Sequence, residues 1–164
     1  MNKESIIKKL SMKKHIEGGY FCETHRSDII INTNRQNNER PISTSIYYML
    51  TEDSPIGYFH KNESDIIHYF HAGSTLTYII IEPNGELKKM KLGPDIFSDD
   101  LLQLVVKGGC WKATILEKGE YGLLGEAVAP GFDYKDMEVG TKEKMRSLFP
   151  HLWKDIFQWV KPEA

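Results

Sequence analysis

Charge of one sign, cysteine and long apolar runs are all scarce in this chain. Over 164 residues, 21 Lys and Arg face 23 Asp and Glu, a formal net charge of -2. With so little imbalance, no long-range field draws the protein towards nucleic acid or an anionic membrane. The two cysteines, Cys22 and Cys110, lack metal-type spacing and offer no disulfide framework, which fits reduced thiols in a cytoplasmic protein. Residues 1–10 alternate Lys and Glu with isolated apolar side chains, unlike a signal peptide. The strongest apolar run, Leu76 to Ile81, is far too short to span a bilayer. Helical periodicity is also missing from the middle of the sequence, which argues against a parallel α/β sheet.

What the middle does contain is β-branched and aromatic residues in short runs separated by turn chemistry. Strands are expected at 20–25, 44–50, 65–70, 75–82, 87–92, 101–106, 111–117 and 121–129. The clearest turn is Glu82-Pro83-Asn84-Gly85, where Asn-Gly supplies the positive φ angles of a tight hairpin. Regular spacing of this kind favours an antiparallel sandwich or barrel. Ile6, Ile7 and Leu10 predict a short amphipathic helix over 4–10, ending before Gly18-Gly19. After Pro130-Gly131, Thr141 caps a helical tail over about 141–160, in which Met145, Leu148, Phe149, Leu152, Ile156, Phe157 and Val160 recur at spacings of three and four. Pro150 divides that tail into two short helices meeting near Phe149, with Trp153 and Trp159 as packing surface. A single domain over 1–164 is expected, with its barrel core at about 18–139.

The segment from Tyr58 to Gly73 resembles the first signature of the cupin superfamily. His60 and Gly73 fit its ends, whereas Asn62 stands at a histidine position and Ile66 at the glutamate position. The second signature overlays residues 107–112, keeping Gly109 and placing Lys112 where a histidine belongs. A closer resemblance is to the small single-domain cupins classed as a domain of unknown function (DUF985). It is carried by Glu17-Gly18-Gly19-Tyr20-Phe21, the run at 43–50, Leu92-Gly93-Pro94-Asp95, Gly109-Cys110-Trp111 and Val128-Ala129-Pro130-Gly131-Phe132-Asp133. The resemblance implies an all-β fold, a double-stranded β-helix (cupin jelly-roll) barrel with short N-terminal and C-terminal helices, paired as a homodimer. Surplus apolar surface at 78–81 supports that pairing.

Enzymatic cupins hold a divalent metal with three histidines and a glutamate, and one of those four ligands survives here. Ile66 removes a charge that would attract a metal, and Lys112 adds one that would repel it. No metal or other cofactor is therefore expected at the standard site. A rearranged set of His60, His68 and Glu126 stays open, because strand alternation carries His68 inward wherever Ile66 faces the lumen. The alternative is an organic pocket built from Tyr20, Tyr48, His60, His68, Phe70, Lys112 and Glu126. Lys112 either pairs inside with Glu126 or an anionic ligand, or snorkels outward.

Three functions follow from these residues. The first is a metal-independent isomerase or epimerase acting on a sugar-like or anionic metabolite, with His60 or His68 transferring the proton and Lys112 stabilising negative charge. A non-enzymatic ligand-binding or storage protein is the second. The third is a metal-dependent oxygenase or isomerase. Partners are expected to be a small molecule and a second copy of the chain, with neither nucleic acid nor membrane involved.

Overall fold

The structure, a computed structural model, describes residues 2–35 and 37–162. The chain opens with helix α1, Lys3–Lys9, whose first turn is capped by the Asn2 side chain accepting from the Ser5 amide. Strands β1 (Lys13–Lys14), β2 (Tyr20–Arg26), β3 (Ile30–Asn32), β4 (Glu39–Pro41) and β5 (Thr44–Thr51) follow. Next come β6 (Ile56–Asn62), β7 (Asp65–Gly73), β8 (Leu76–Ile81), β9 (Leu87–Leu92), β10 (Gln103–Val106), β11 (Trp111–Ile115), β12 (Tyr121–Ala129) and β13 (Met137–Val139). Two short helices, α2 (Lys142–Leu148) and α3 (Trp153–Ile156), close the chain.

The strands form a six-stranded sheet, in the order β1-β2-β5-β12-β7-β10, and a five-stranded sheet, β13-β6-β11-β8-β9, with β3 and β4 as a separate hairpin. All the strand pairs within these sheets are antiparallel. The expected double-stranded β-helix is present, but its sheets face each other without closing into a barrel. Among the described residues, one isolated bridge between Leu92 and Leu101 links the edge of β9 to the segment preceding β10.

Alternation explains how each sheet is used. On β8, Tyr78 and Ile80 point between the sheets and join Tyr48, Leu50, Leu104 and Leu124. Ile79 and Ile81 point the other way, with Trp111, Ala113 and Ile115 of β11, and are covered by Met145, Phe149, Ile156 and Val160 of the tail. Each such buried side chain contributes about 1.5–3 kcal/mol. The apolar surface at 78–81 that suggested a dimer is thus covered by the chain's own helices. Thr141 does cap α2, accepting from the Lys144 amide. Leu148 and Phe157, expected to pack, are instead exposed. A third cluster seats Ile6 and Met12 on Met49 and Leu123, at the outer face of the six-stranded sheet.

The strands missing from the sequence reading are β6, which carries His60, and the short β1, β3, β4 and β13. Val105, Leu102, Ile29 and Ile30 remain exposed on the surface. Among the described residues, no helix is long and apolar enough to cross a membrane.

Candidate functional site

A cavity of about 240 Å³ opens between the two sheets. Its walls are built by inward positions of neighbouring strands: Ile46 and Tyr48 from β5, His60 and Asn62 from β6, Ile66 from β7, Glu126 and Val128 from β12. The register implied by the cupin resemblance is therefore right in space, because His60, Asn62 and Ile66 all face this cavity. Phe21, Glu23, Arg26, Phe132, Asp133 and Tyr134 surround its outer part.

Two buried clusters lie against it. The first joins strands across the lumen. Glu126 pairs in register with His68 on the adjacent strand, and its Oε1 lies 3.2 Å from His68 Nδ1. Lys112 reaches in from β11 of the opposite sheet, placing its Nζ 3.3 Å from His68 Nε2 and 3.6 Å from Glu126 Oε1. His68 therefore donates from Nδ1 to the carboxylate and accepts at Nε2 from the ammonium. Tyr78 Oη completes the cluster at 3.2 Å from His68 Nδ1. Burial would raise the carboxyl of Glu126, but Lys112, His68 and His60 outweigh it and hold the group well below its ordinary range. Burial, then the Lys112 charge, lowers the His68 imidazole.

The second cluster was not foreseen. Glu17 lies in the loop before β2, buried, with Oε2 3.1 Å from His60 Nε2 and 3.5 Å from His15 Nδ1. The loop is pressed onto β6, where Tyr58 N donates to Glu17 O and Tyr48 Oη donates to Gly18 O over 2.8 Å. Gly18 allows this approach because its φ is +102°, and a Cβ there would collide with the Ile56 carbonyl oxygen. His60 Nδ1 donates to Tyr58 O over 2.8 Å. Its Nε2 is then the acceptor end of a neutral ring, facing a carboxyl group.

That contact requires one proton between the two partners. Burial pushes the Glu17 carboxyl up to about 8, and burial together with the Lys112 charge drives the His60 imidazole well below its ordinary value. At neutral pH the proton resides on Glu17 and is shared towards His60 Nε2. Burial also brings His15 down to about 4, keeping that ring neutral. The signal for Glu17 was its place in the Glu-Gly-Gly-Tyr-Phe landmark. Neither strand periodicity nor signature spacing connects it with His60.

The remaining expected site residues divide clearly. Tyr48, His60 and Glu126 line the cavity. His68 and Lys112 lie behind Glu126 as its partners and outside the lining, so the three expected convergent groups do not share one surface. Tyr20 is on the outward side of β2, packed in the cluster under α1, with Oη 3.4 Å from Asp53 Oδ2. Phe70 points inward as expected but packs against the apolar core beyond the cavity. The cavity is not the cationic one expected, since Lys112 is neutralised by Glu126.

The same geometry decides how well a cupin metal fits. Ile66 has no donor atom, His60 is engaged at both nitrogens, and an ammonium occupies the position next to His68 Nε2 and Glu126 Oε1. Among the described residues, no group of three or more His, Cys, Asp or Glu side chains is arranged to hold a metal ion. The residues present do not fit the metal site of enzymatic cupins, and the repulsion from Lys112 opposes one.

The fold is that of a cupin. The chain belongs to the cupin superfamily, in the family described as Cupin superfamily (DUF985), which it matches over residues 4–140. It is similar to the uncharacterised protein YML079W of Saccharomyces cerevisiae, with 42% identity over 146 residues, 81% of this chain and 72% of the yeast protein. Two solved structures share the fold along nearly the whole chain. A hypothetical protein from Leishmania major superposes with a TM-score of 0.91 at 29% identity, covering 99% of this chain and 100% of its own. Protein SO0799 from Shewanella oneidensis gives 0.90 at 30% identity, covering 99% of both.

Proposed function

We propose that this cupin binds a small polar metabolite between its sheets and transfers a proton to or from it without a metal, as an isomerase or epimerase does. The observation that supports this reading is the buried Glu17–His60 pair at the cavity wall, 3.1 Å apart and sharing one proton. An acid poised near the working pH meets the main requirement of general acid–base catalysis, which contributes about 10²–10⁴-fold. His60 is fixed in orientation by the Tyr58 carbonyl, so the proton it shares with Glu17 is held in one geometry. Glu126 adds an ionised carboxylate on the same cavity, with Lys112 as its permanent counter-charge. The two carboxyl groups therefore hold opposite protonation states, a division by environment that assigns acid and anion to different residues.

The cavity volume limits the ligand. At about 240 Å³ it falls below the roughly 300–1,000 Å³ of pockets for drug-sized molecules, and a single sugar ring or a compound of that size suits it. The test is solvent exchange. Incubation in D₂O with a panel of aldoses, ketoses and keto sugars should place deuterium on a carbon next to a carbonyl, read by mass spectrometry. His60→Gln should slow that exchange about 100-fold. Binding without exchange by any of the panel would replace this reading with a storage or ligand-carrying one.

A further inference from the structure

We infer that the cavity selects a neutral or positively charged ligand rich in hydrogen-bond donors, an amino sugar being the type, and rejects carboxylates and phosphates. This rests on the cavity being the ligand site and goes further by giving the ligand's charge. Among the described lining residues, Arg26 alone carries a permanent positive charge. It is already committed: Nε and Nη2 donate to Glu23, and Nη1 donates to the Phe132 carbonyl. Lys112, a buried cation outside the lining, lies behind Glu126 with its charge matched. An entering phosphate would face the Glu126 carboxylate and, at the mouth, Glu23 and Asp133, and the one permanent cation among the described lining residues is already paired with Glu23.

The acceptors point the same way. The contacts of Glu126 with His68 and Lys112 both use Oε1, so Oε2 takes part in neither while the residue lines the cavity. Asn62 lines it too, is more than nine-tenths buried, and has no hydrogen-bond partner for its Oδ1 among the described residues. A buried carbonyl left unsatisfied is costly, and a ligand hydroxyl or amine relieves that cost. A carboxylate or phosphate oxygen does not. Glu17, protonated beside His60, adds no opposing anion at neutral pH, so the carboxylate that reads ligand charge in the interior is Glu126.

Titration calorimetry at pH 7 and low salt, with glucosamine, glucose and glucose 6-phosphate as probes, tests this directly. Affinity should fall in that order, with at least a tenfold gap between the amine and the phosphate that narrows as salt is raised. Glu126→Gln should abolish the preference for glucosamine over glucose. Because that change leaves Lys112 unmatched, the double variant Glu126→Gln/Lys112→Met is measured alongside and should show the same loss. Asn62→Leu should weaken glucosamine and glucose alike by several-fold. Equal or tighter binding of glucose 6-phosphate would overturn the charge assignment while leaving the cavity as the binding site. Failure of all three probes to bind at millimolar concentration would overturn the assigned ligand class, and the D₂O exchange assay would still judge proton transfer independently.

Discussion

Glu17 is the residue at which the electrostatics can be measured without knowing the ligand. Its carboxyl rises from an ordinary 4.5 to about 8 because burial removes water from the charged form. Since the folded value exceeds the unfolded one, the native state holds the extra proton between those limits, and stability falls as pH rises through the interval. At about 1.4 kcal/mol per pH unit, the whole interval is worth about 5 kcal/mol, and the part between pH 5 and pH 8 about 4 kcal/mol. Glu17→Gln removes the titration and keeps a hydrogen-bond donor facing His60 Nε2. Urea unfolding of wild type and variant at pH 5 and pH 9 isolates the effect, because the other groups titrate in both proteins. The wild type should lose about 4 kcal/mol more than the variant over that range. Curves that stay parallel within about 1 kcal/mol would mean that Glu17 is ionised in the fold, and the shared proton would go with it.

Four further outcomes are expected. Lys112→Met should destabilise the protein by about 3–5 kcal/mol at neutral pH, because it strands the Glu126 carboxylate inside, and thermal or chemical unfolding measures it. Met145→Ala should cost about 2–5 kcal/mol by opening a void between the tail helices and Phe59, again read by unfolding. The exchange activity proposed for the Glu17–His60 pair should decline as pH rises through about 8, where Glu17 loses its proton; a rate that climbs steadily to pH 10 would contradict that role. Light scattering at micromolar concentrations should give the mass of the homodimer that the family resemblance implies; a monomer would remove that expectation.

The sheets were legible because their residues obey one rule at a time. β9 and β12 fall on the expected residues, and the turn at Asn84-Gly85 joins β8 to β9, although only Gly85, at a φ of +85°, takes the positive φ expected of both residues. β6 was not legible, because Gly57 and Lys61 interrupt its apolar pattern. His60 was found only through the cupin register. Facing was legible on β7, where burial of Ile66 and His68 follows strict alternation. It was ambiguous on β11, where every residue is buried, since the tail covers one face and the opposite sheet the other. For that reason both an inward and an outward Lys112 fitted the sequence. Glu17 was beyond reach for a different reason: its contact with His60 spans a loop docked on a strand, and neither period nor motif encodes loop docking.

The substitutions at the metal-ligand positions make physical sense only together. Lys112 alone would be a buried cation without a partner, and Glu126 alone a buried anion, each costing several kcal/mol. Placed 3.6 Å apart, with His68 between their polar ends, each removes most of the other's cost. Ile66 then has to be apolar, since a second carboxylate beside Glu126 would leave one negative charge unmatched. The cation of the site has in effect become part of the chain, fixed in position and unable to exchange with ligand atoms. Glu17 escapes that network. Its partner is an imidazole, whose second nitrogen is tied to a carbonyl, so Glu17 has no permanent counter-charge and keeps its proton near neutral pH. Removing the ammonium should therefore act on both carboxyl groups, raising Glu126 directly and Glu17 through the lost field, since Lys112 also lowers Glu17. If pH titration of a Lys112→Met variant, followed by NMR at the two glutamate side chains, moved Glu126 and left Glu17 in place, the two clusters would be independent.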